Sequence, residues 1–129
     1  MSRFTLMVIG ANQEEQLAPF NKTPNLKFDW CILGGRASGL IKLKESVTGN
    51  VGGGCLVMHN EAKKGDITNF DEIITFALLK DGEWFEKGKM GWWNVVQDKK
   101  DDERWKNEFK NLVQGLPDDT LISIFDCHI

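Results

Sequence analysis

Between Asp98 and Gly115 the chain carries the pattern that most restricts its fold. Trp105, Phe109, Leu112 and Val113 fall at i, i+4, i+7 and i+8, one apolar stripe on one side of a helix. Asp98 or Asp101 supplies an N-cap, Gly115 closes the helix and Pro117 enforces the stop, so the spacing predicts a helix reaching Gln114. A helix with one apolar face must pack on another layer, and the flanking segments read as strands. Phe4 to Ile9 is apolar on both alternating faces, and Thr120 to Cys127 has β-branched residues in phase. Thr75 to Leu79 and Glu83 to Glu86 are joined by Lys80-Asp81-Gly82, a hairpin turn, and Met90 to Gln97 follows as a third strand. Leu26 to Leu33 and Leu40 to Lys44 read as a strand pair, Asn12 caps a short helix through Leu17, and Cys55 to Met58 suits a brief strand. The expected architecture is α+β, residues 1–129 as a single domain: a largely antiparallel sheet with one long amphipathic helix packed on one face. A ferredoxin-like arrangement is one version, with the two terminal strands side by side near the sheet centre.

Charge and cysteine content narrow the class. The formal net charge is −3, which argues against a general nucleic-acid binder, since those are usually basic. Three cysteines without framework spacing point to a reduced cytosolic protein, with Cys31 and Cys127 as buried thiols in apolar runs. No apolar run reaches membrane-spanning length, and no signal sequence is expected. Five Trp and eight Phe accompany no Tyr, and three of the Trp lie between Glu83 and Trp93, as core or as a stacking surface.

The candidate site residues centre on Phe28 to Lys44. Gly34, Gly35, Arg36 and Gly39 are the parts of an anion nest, with successive backbone N–H groups and a planar bidentate donor. They are equally the parts of a tight hairpin with Arg36 near its tip, and no helix follows as a Walker-type loop requires. Trp30, Trp92 and Trp93 are candidate stacking surfaces for a base, or core. In a strand Trp92 and Trp93 point to opposite faces, so one helix cannot cover both. Lys64 and Asp66, in the polar stretch His59 to Asn69, suit a mobile loop closing over an anion, or a solvated surface loop. The glycines from 49 to 54 read as a flexible loop. Asp126 and His128 share one face of the last strand. That pair can orient an imidazole as a general base, or be a solvated strand end. No HxH, HExxH or CxxC spacing occurs, so neither a metal nor a cofactor is expected.

The segments FTLMVIG with EEQLAPF, FDWCILGGRASG, KGDI, DGEWFEKGKMGWW and the closing DCHI resemble a recurring group of phage-encoded proteins of unassigned function. In that group the stretch between QLAPF and a WDW-type segment is often longer. Phe28-Asp29-Trp30 here stands where Trp-Asp-Trp is common, and Ala37 where an aromatic often follows the arginine. The resemblance implies a viral protein acting in the host cytoplasm.

Three functions fit these residues. The first is a binding protein that sequesters a small phosphorylated nucleotide, of cyclic or ADP-ribose type, to counter host immunity. Arg36 and the glycine amides would hold phosphate, a Trp would stack the base and Lys64 would close the loop. The second is a protein–protein inhibitor of a host factor with the tryptophans as its hot spot. The third is a phosphodiesterase or nuclease using His128 and Asp126. Binding is favoured because no complete catalytic set is present, and a homo-oligomer with the site at its interface is compatible with every motif.

Overall fold

The structure is a computed structural model and describes residues 2–43, 60–90 and 96–129. Trp92, Trp93, the glycine loop at 49–54 and the strand expected over Cys55 to Met58 lie outside these residues. The sheet is built on the two terminal strands, β1 (Arg3–Ile9) and β8 (Leu121–His128), which run antiparallel with Arg3 opposite His128 and Ile9 opposite Ile122. Leu6, Met7, Val8, Ile122 and Ile124 are fully buried. Strands apolar on both faces belong between two covering layers, and these two sit at the centre as their pattern predicts.

Beyond them come β2 (Trp30–Leu33), β3 (Glu61–Lys63), β4 (Ala77–Lys80) and β5 (Glu83–Glu86). The order is β2-β8-β1-β4-β5, with β3 continuing the β8 edge beyond β2. Gly34 N–H donates to Ile124 O at 2.8 Å and Ile124 N–H donates to Asn60 O at 2.9 Å, so one carbonyl and one amide of β8 serve two edge pieces. The Asp81-Gly82 turn between β4 and β5 has φ of 52° and 77°, the double positive φ of a tight hairpin.

Among the described residues two helices flank the sheet, and here the expected class needs correction. The sheet is mixed, because β1 and β4 run parallel, and it carries two short helices instead of one long amphipathic helix. α1 (Gln13–Leu17) packs Leu17 with Phe4, Leu6, Val8, Phe28, Leu79 and Phe125 on one face. α2 (Asp102–Val113) packs Trp105, Phe109 and Val113 with Met7, Ile9, Leu78, Ile122 and Ile124 on the other. α2 holds the whole apolar stripe but is shorter than a helix capped at Asp98 and reaching Gln114, because Asp98 takes φ 53° and stays outside it, while Gln114 is already extended with ψ 137°. A parallel β1–β4 pair at the centre of this strand order is not a ferredoxin-like arrangement.

Asp101 is the true cap, its carboxylate accepting from Arg104 N–H at 2.7 Å. Asp101→Ala is expected to lower stability by about 1 kcal/mol, the usual loss for a capping side chain. A thermal melt that is unchanged would show the cap to be dispensable.

Two expected pairings are replaced. The strand pair expected over Leu26 to Lys44 is not formed by its described residues: β2 pairs with β8, and after Gly35–Ala37, one turn of 3-10 helix, the chain crosses toward α2. There Ile41 is buried in the α2 core, and Asn69 bonds the backbone of both Leu40 and Lys42. The open edge of an eight-residue central strand outcompetes a short local hairpin. The expected strand Met90 to Gln97 is also different. Within the described residues, β6 (Lys89–Met90) pairs with β7 (Val96–Gln97) apart from the main sheet, so no three-strand meander continues from β5.

Candidate functional site

The alternation of β8 creates the site. Its even-numbered residues face the α2 side, with Ile122 and Ile124 under the helix and Asp126 and His128 beyond it. β1 follows the same phase: Ile9 and Met7 lie under α2, Thr5 lies opposite Asp126, and Arg3 lies opposite His128. On the other side Ile32 lies opposite Asp126 and Trp30 opposite His128. One sheet face therefore changes from apolar to polar along its length.

Asp126 and His128 are not a solvated strand end. They are 5 % and 1 % exposed, because β1 and β2 flank β8 to its last residues. Asp126 Oδ2 accepts the Arg36 backbone N–H at 3.1 Å and lies 3.4 Å from His128 Nε2. His128 Nδ1 is buried with no hydrogen-bond partner among the described residues. The Trp30 ring lies flat on the imidazole, centroids 3.6 Å apart and planes 9° apart.

One backbone amide of the glycine segment, that of Arg36, meets an anion, and that anion is the chain's own Asp126. Gly34 N–H is bonded to Ile124 O, Ala37 N–H to Gly34 O, Ser38 N–H to Gly35 O and Gly39 N–H to Asn60 Oδ1. These amides are already committed. Gly35 has φ 52°, and a Cβ there would stand 2.7 Å from Asp126 Cβ and 2.8 Å from Oδ2. Only a glycine allows the turn to close on the carboxylate.

Over this floor lies a cleft of about 210 Å³ lined by Arg3, Phe4, Thr5, Arg36, Ala37 and Asp126. Arg3 and Arg36 are both exposed. Arg3 and Thr5 were the residues that sequence reasoning missed. Their signal is a polar pair two apart, opening a strand otherwise apolar.

Lys64 and Asp66 do not join this cluster. β3 pairs with the opposite end of β8, Lys63 opposite Leu121, seven residues and roughly 20 Å from His128. Lys64 N–H donates to Thr120 O, its Nζ to Leu116 O at 2.8 Å, and Gly65 N–H to Asp118 O. A segment held at three points is an anchored turn, not a loop closing over Arg36. Lys64 instead lines a separate groove of about 420 Å³ beside the C-terminal end of α2, with Phe70, Ile73, Phe109 and Lys110.

Phe28 departs from its expected face. A continuous strand would put it beside Trp30, but β2 begins only at Trp30. Asn21 Nδ2 bonds both Phe28 O and Asp29 O, and Phe28 turns into the α1 core against Trp84.

Compared with known proteins, the chain matches no family model, no curated protein and no solved structure. The α+β architecture with its mixed sheet and the geometry at Asp126 are the findings on which a functional reading rests. No helix among the described residues is long and apolar enough to cross a membrane.

Proposed function

We propose that the chain binds a small phosphorylated nucleotide over Asp126, the phosphate between Arg3 and Arg36 and the base on the outer face of Trp30. One observation carries this reading: two exposed arginines line one cleft, with a tryptophan residue 46 % exposed on the same sheet face. Asp126 and His128, the latter beneath Trp30, lie two residues apart, roughly 7 Å. That span suits the phosphate and base of one nucleotide. Arginine pairs are suited to phosphate because the guanidinium is planar, always charged and bidentate. Against Asp126 the two arginines leave a net positive charge, and the Asp126 carboxylate is turned toward the Arg36 backbone N–H.

Binding without turnover is favoured over a phosphodiesterase reaction. A general base must come within hydrogen-bond reach of the proton it removes. His128 points Nε2 at Asp126, buries Nδ1 and lies beneath Trp30, so neither nitrogen is presented to the cleft. In the phage setting that the motifs suggest, the ligand class is a cyclic or ADP-ribose-type signalling nucleotide. Its removal would blunt a host immune response in the host cytoplasm.

Calorimetry against ADP-ribose, its cyclic form and cyclic mono- and dinucleotides tests the reading. One of them binds, and Arg36→Ala weakens it at least tenfold while leaving the melting temperature within a few degrees. Loss of one charge-assisted bidentate contact is of that size. If none of the panel binds, the proposal is wrong.

A protein-binding role has its own support. Trp30, Ile32, Leu33 and Leu40 are 40–50 % exposed around β2, whose outer edge has no partner strand among the described residues. If the nucleotide panel fails and a host protein is retained by the wild type but not by Trp30→Ala or Ile32→Ala, this second reading stands.

A further inference from the structure

Cys31 of β2 and Cys127 of β8 stand directly opposite each other in an antiparallel ladder. The hydrogen-bonding phase of β8 shows which kind of pair they form. Ile124 directs its peptide groups outward, to Gly34 and Asn60. Ser2 and Ile129 exchange both their bonds at 2.9 and 3.0 Å, and Gly10 N–H donates to Leu121 O, so the odd-numbered residues of β8 direct theirs toward β1. Cys127 is one of these, and Cys31–Cys127 is therefore a pair without ladder bonds between its members. In such pairs the Cα atoms are about 4.5 Å apart and the side chains on one face come closest together. That separation is within the roughly 4.4–6.8 Å that a disulfide spans.

Both thiols are free, Cys127 buried and Cys31 half-buried. A hydrogen bond between them holds the Cys31 thiol below its ordinary pKa and, together with burial, pushes that of Cys127 far up. Cys31 is thus both the more reachable sulfur and the more readily ionised one, the two properties of an attacking thiol.

We infer that Cys31 and Cys127 are a reversible oxidation site that closes a cross-strand disulfide by exchange with a low-molecular-weight disulfide. The Cys31 thiolate attacks one sulfur of the small disulfide, forming a mixed disulfide and releasing one small thiolate. The Cys127 sulfur then attacks Cys31, breaks the mixed disulfide and releases the second thiolate. The two protein thiol protons end on the two released thiols. The protein gives up two electrons and the small disulfide gains them. The bond ties the edge strand that carries Trp30 to β8, and joins residues far apart in the chain. Such a link restricts the unfolded chain strongly. This inference does not depend on what the cleft binds.

The test is to incubate the reduced protein with oxidised glutathione, alkylate the remaining thiols, digest without reduction and map the peptides by mass spectrometry. The expected result is a linked pair of peptides containing Cys31 and Cys127, released by dithiothreitol, with the melting temperature of the oxidised protein raised by roughly 10 °C. Cys31→Ser removes both the linked peptide and the shift, and Cys55→Ser retains both. Cys127→Ala, read by mass alone, leaves a glutathione adduct on Cys31. Glutathione remaining on Cys31 of the wild type without a linked peptide overturns the inference. So does full alkylation of both cysteines in protein that is still folded, or a melting shift that survives Cys31→Ser.

Discussion

Trp105→Ala is expected to destabilise the protein by about 3–5 kcal/mol, the range for truncating a large buried aromatic. In melting temperature that is roughly 10–20 °C for a chain of this size. The indole is 2 % exposed, meets Phe109 edge-on at 5.8 Å and donates Nε1–H to Thr75 O at 2.8 Å. It joins α2 to the segment entering β4, so its removal leaves a cavity and a buried carbonyl without a donor. Trp105→Phe keeps most of the packing and loses only that bond, and should cost about 1–3 kcal/mol. Chemical denaturation of the two variants separates the contributions. Alanine and wild type within 1 kcal/mol of each other would mean that α2 does not hold this face of the sheet.

That helix was legible in the sequence because its signals are local. A cap, a 3.6-residue stripe and a glycine-proline stop all lie within twenty residues. The Asp81-Gly82 hairpin is legible for the same reason, and the central position of β1 and β8 follows from apolar residues on both faces. What was not legible depends on competition between distant partners. Gly34 to Gly39 suits a hairpin equally well, and only the unfilled edge of β8, some ninety residues on, decides against it. Asp126 and His128 look like a frayed end until β1 and β2 are seen to flank them. The glycines suggest an anion nest, but no local pattern says that most of their amides will bond backbone and Asn60, or that the Arg36 amide will meet a carboxylate of the same chain. Lys64 illustrates the converse: a KGD segment between polar neighbours resembles a mobile loop, yet three bonds to residues 116 to 120 anchor it.

Asp126 is the residue at which fold and proposed function pull in opposite directions, and two substitutions separate them. Asp126→Ala removes the acceptor for Arg36 N–H and the carboxylate that faces His128 Nε2 at 3.4 Å. A part-buried amide and a buried imidazole lose their partner, and stability should fall by about 2–4 kcal/mol. The turn at Gly35 then loses its side-chain anchor to β8 and keeps only the backbone bond from Gly34 N–H to Ile124 O beside it, which loosens Arg36 from its position beside Arg3. Asp126→Asn keeps an oxygen of the same size to accept the Arg36 N–H and should cost less than about 1 kcal/mol. It also removes the one negative charge among the described residues lining the cleft. Charges a few ångströms apart near a protein surface interact by a few kcal/mol before screening. A phosphate held between Arg3 and Arg36 should therefore bind roughly tenfold more tightly to the asparagine variant than to wild type, and the gain should shrink as salt rises. Calorimetry with ADP-ribose or inorganic pyrophosphate at two ionic strengths reads the effect directly. Weaker binding to the asparagine variant would mean that Asp126 itself contacts the ligand, as it would a sugar hydroxyl or an amine, and that the arginines are not its principal anion site.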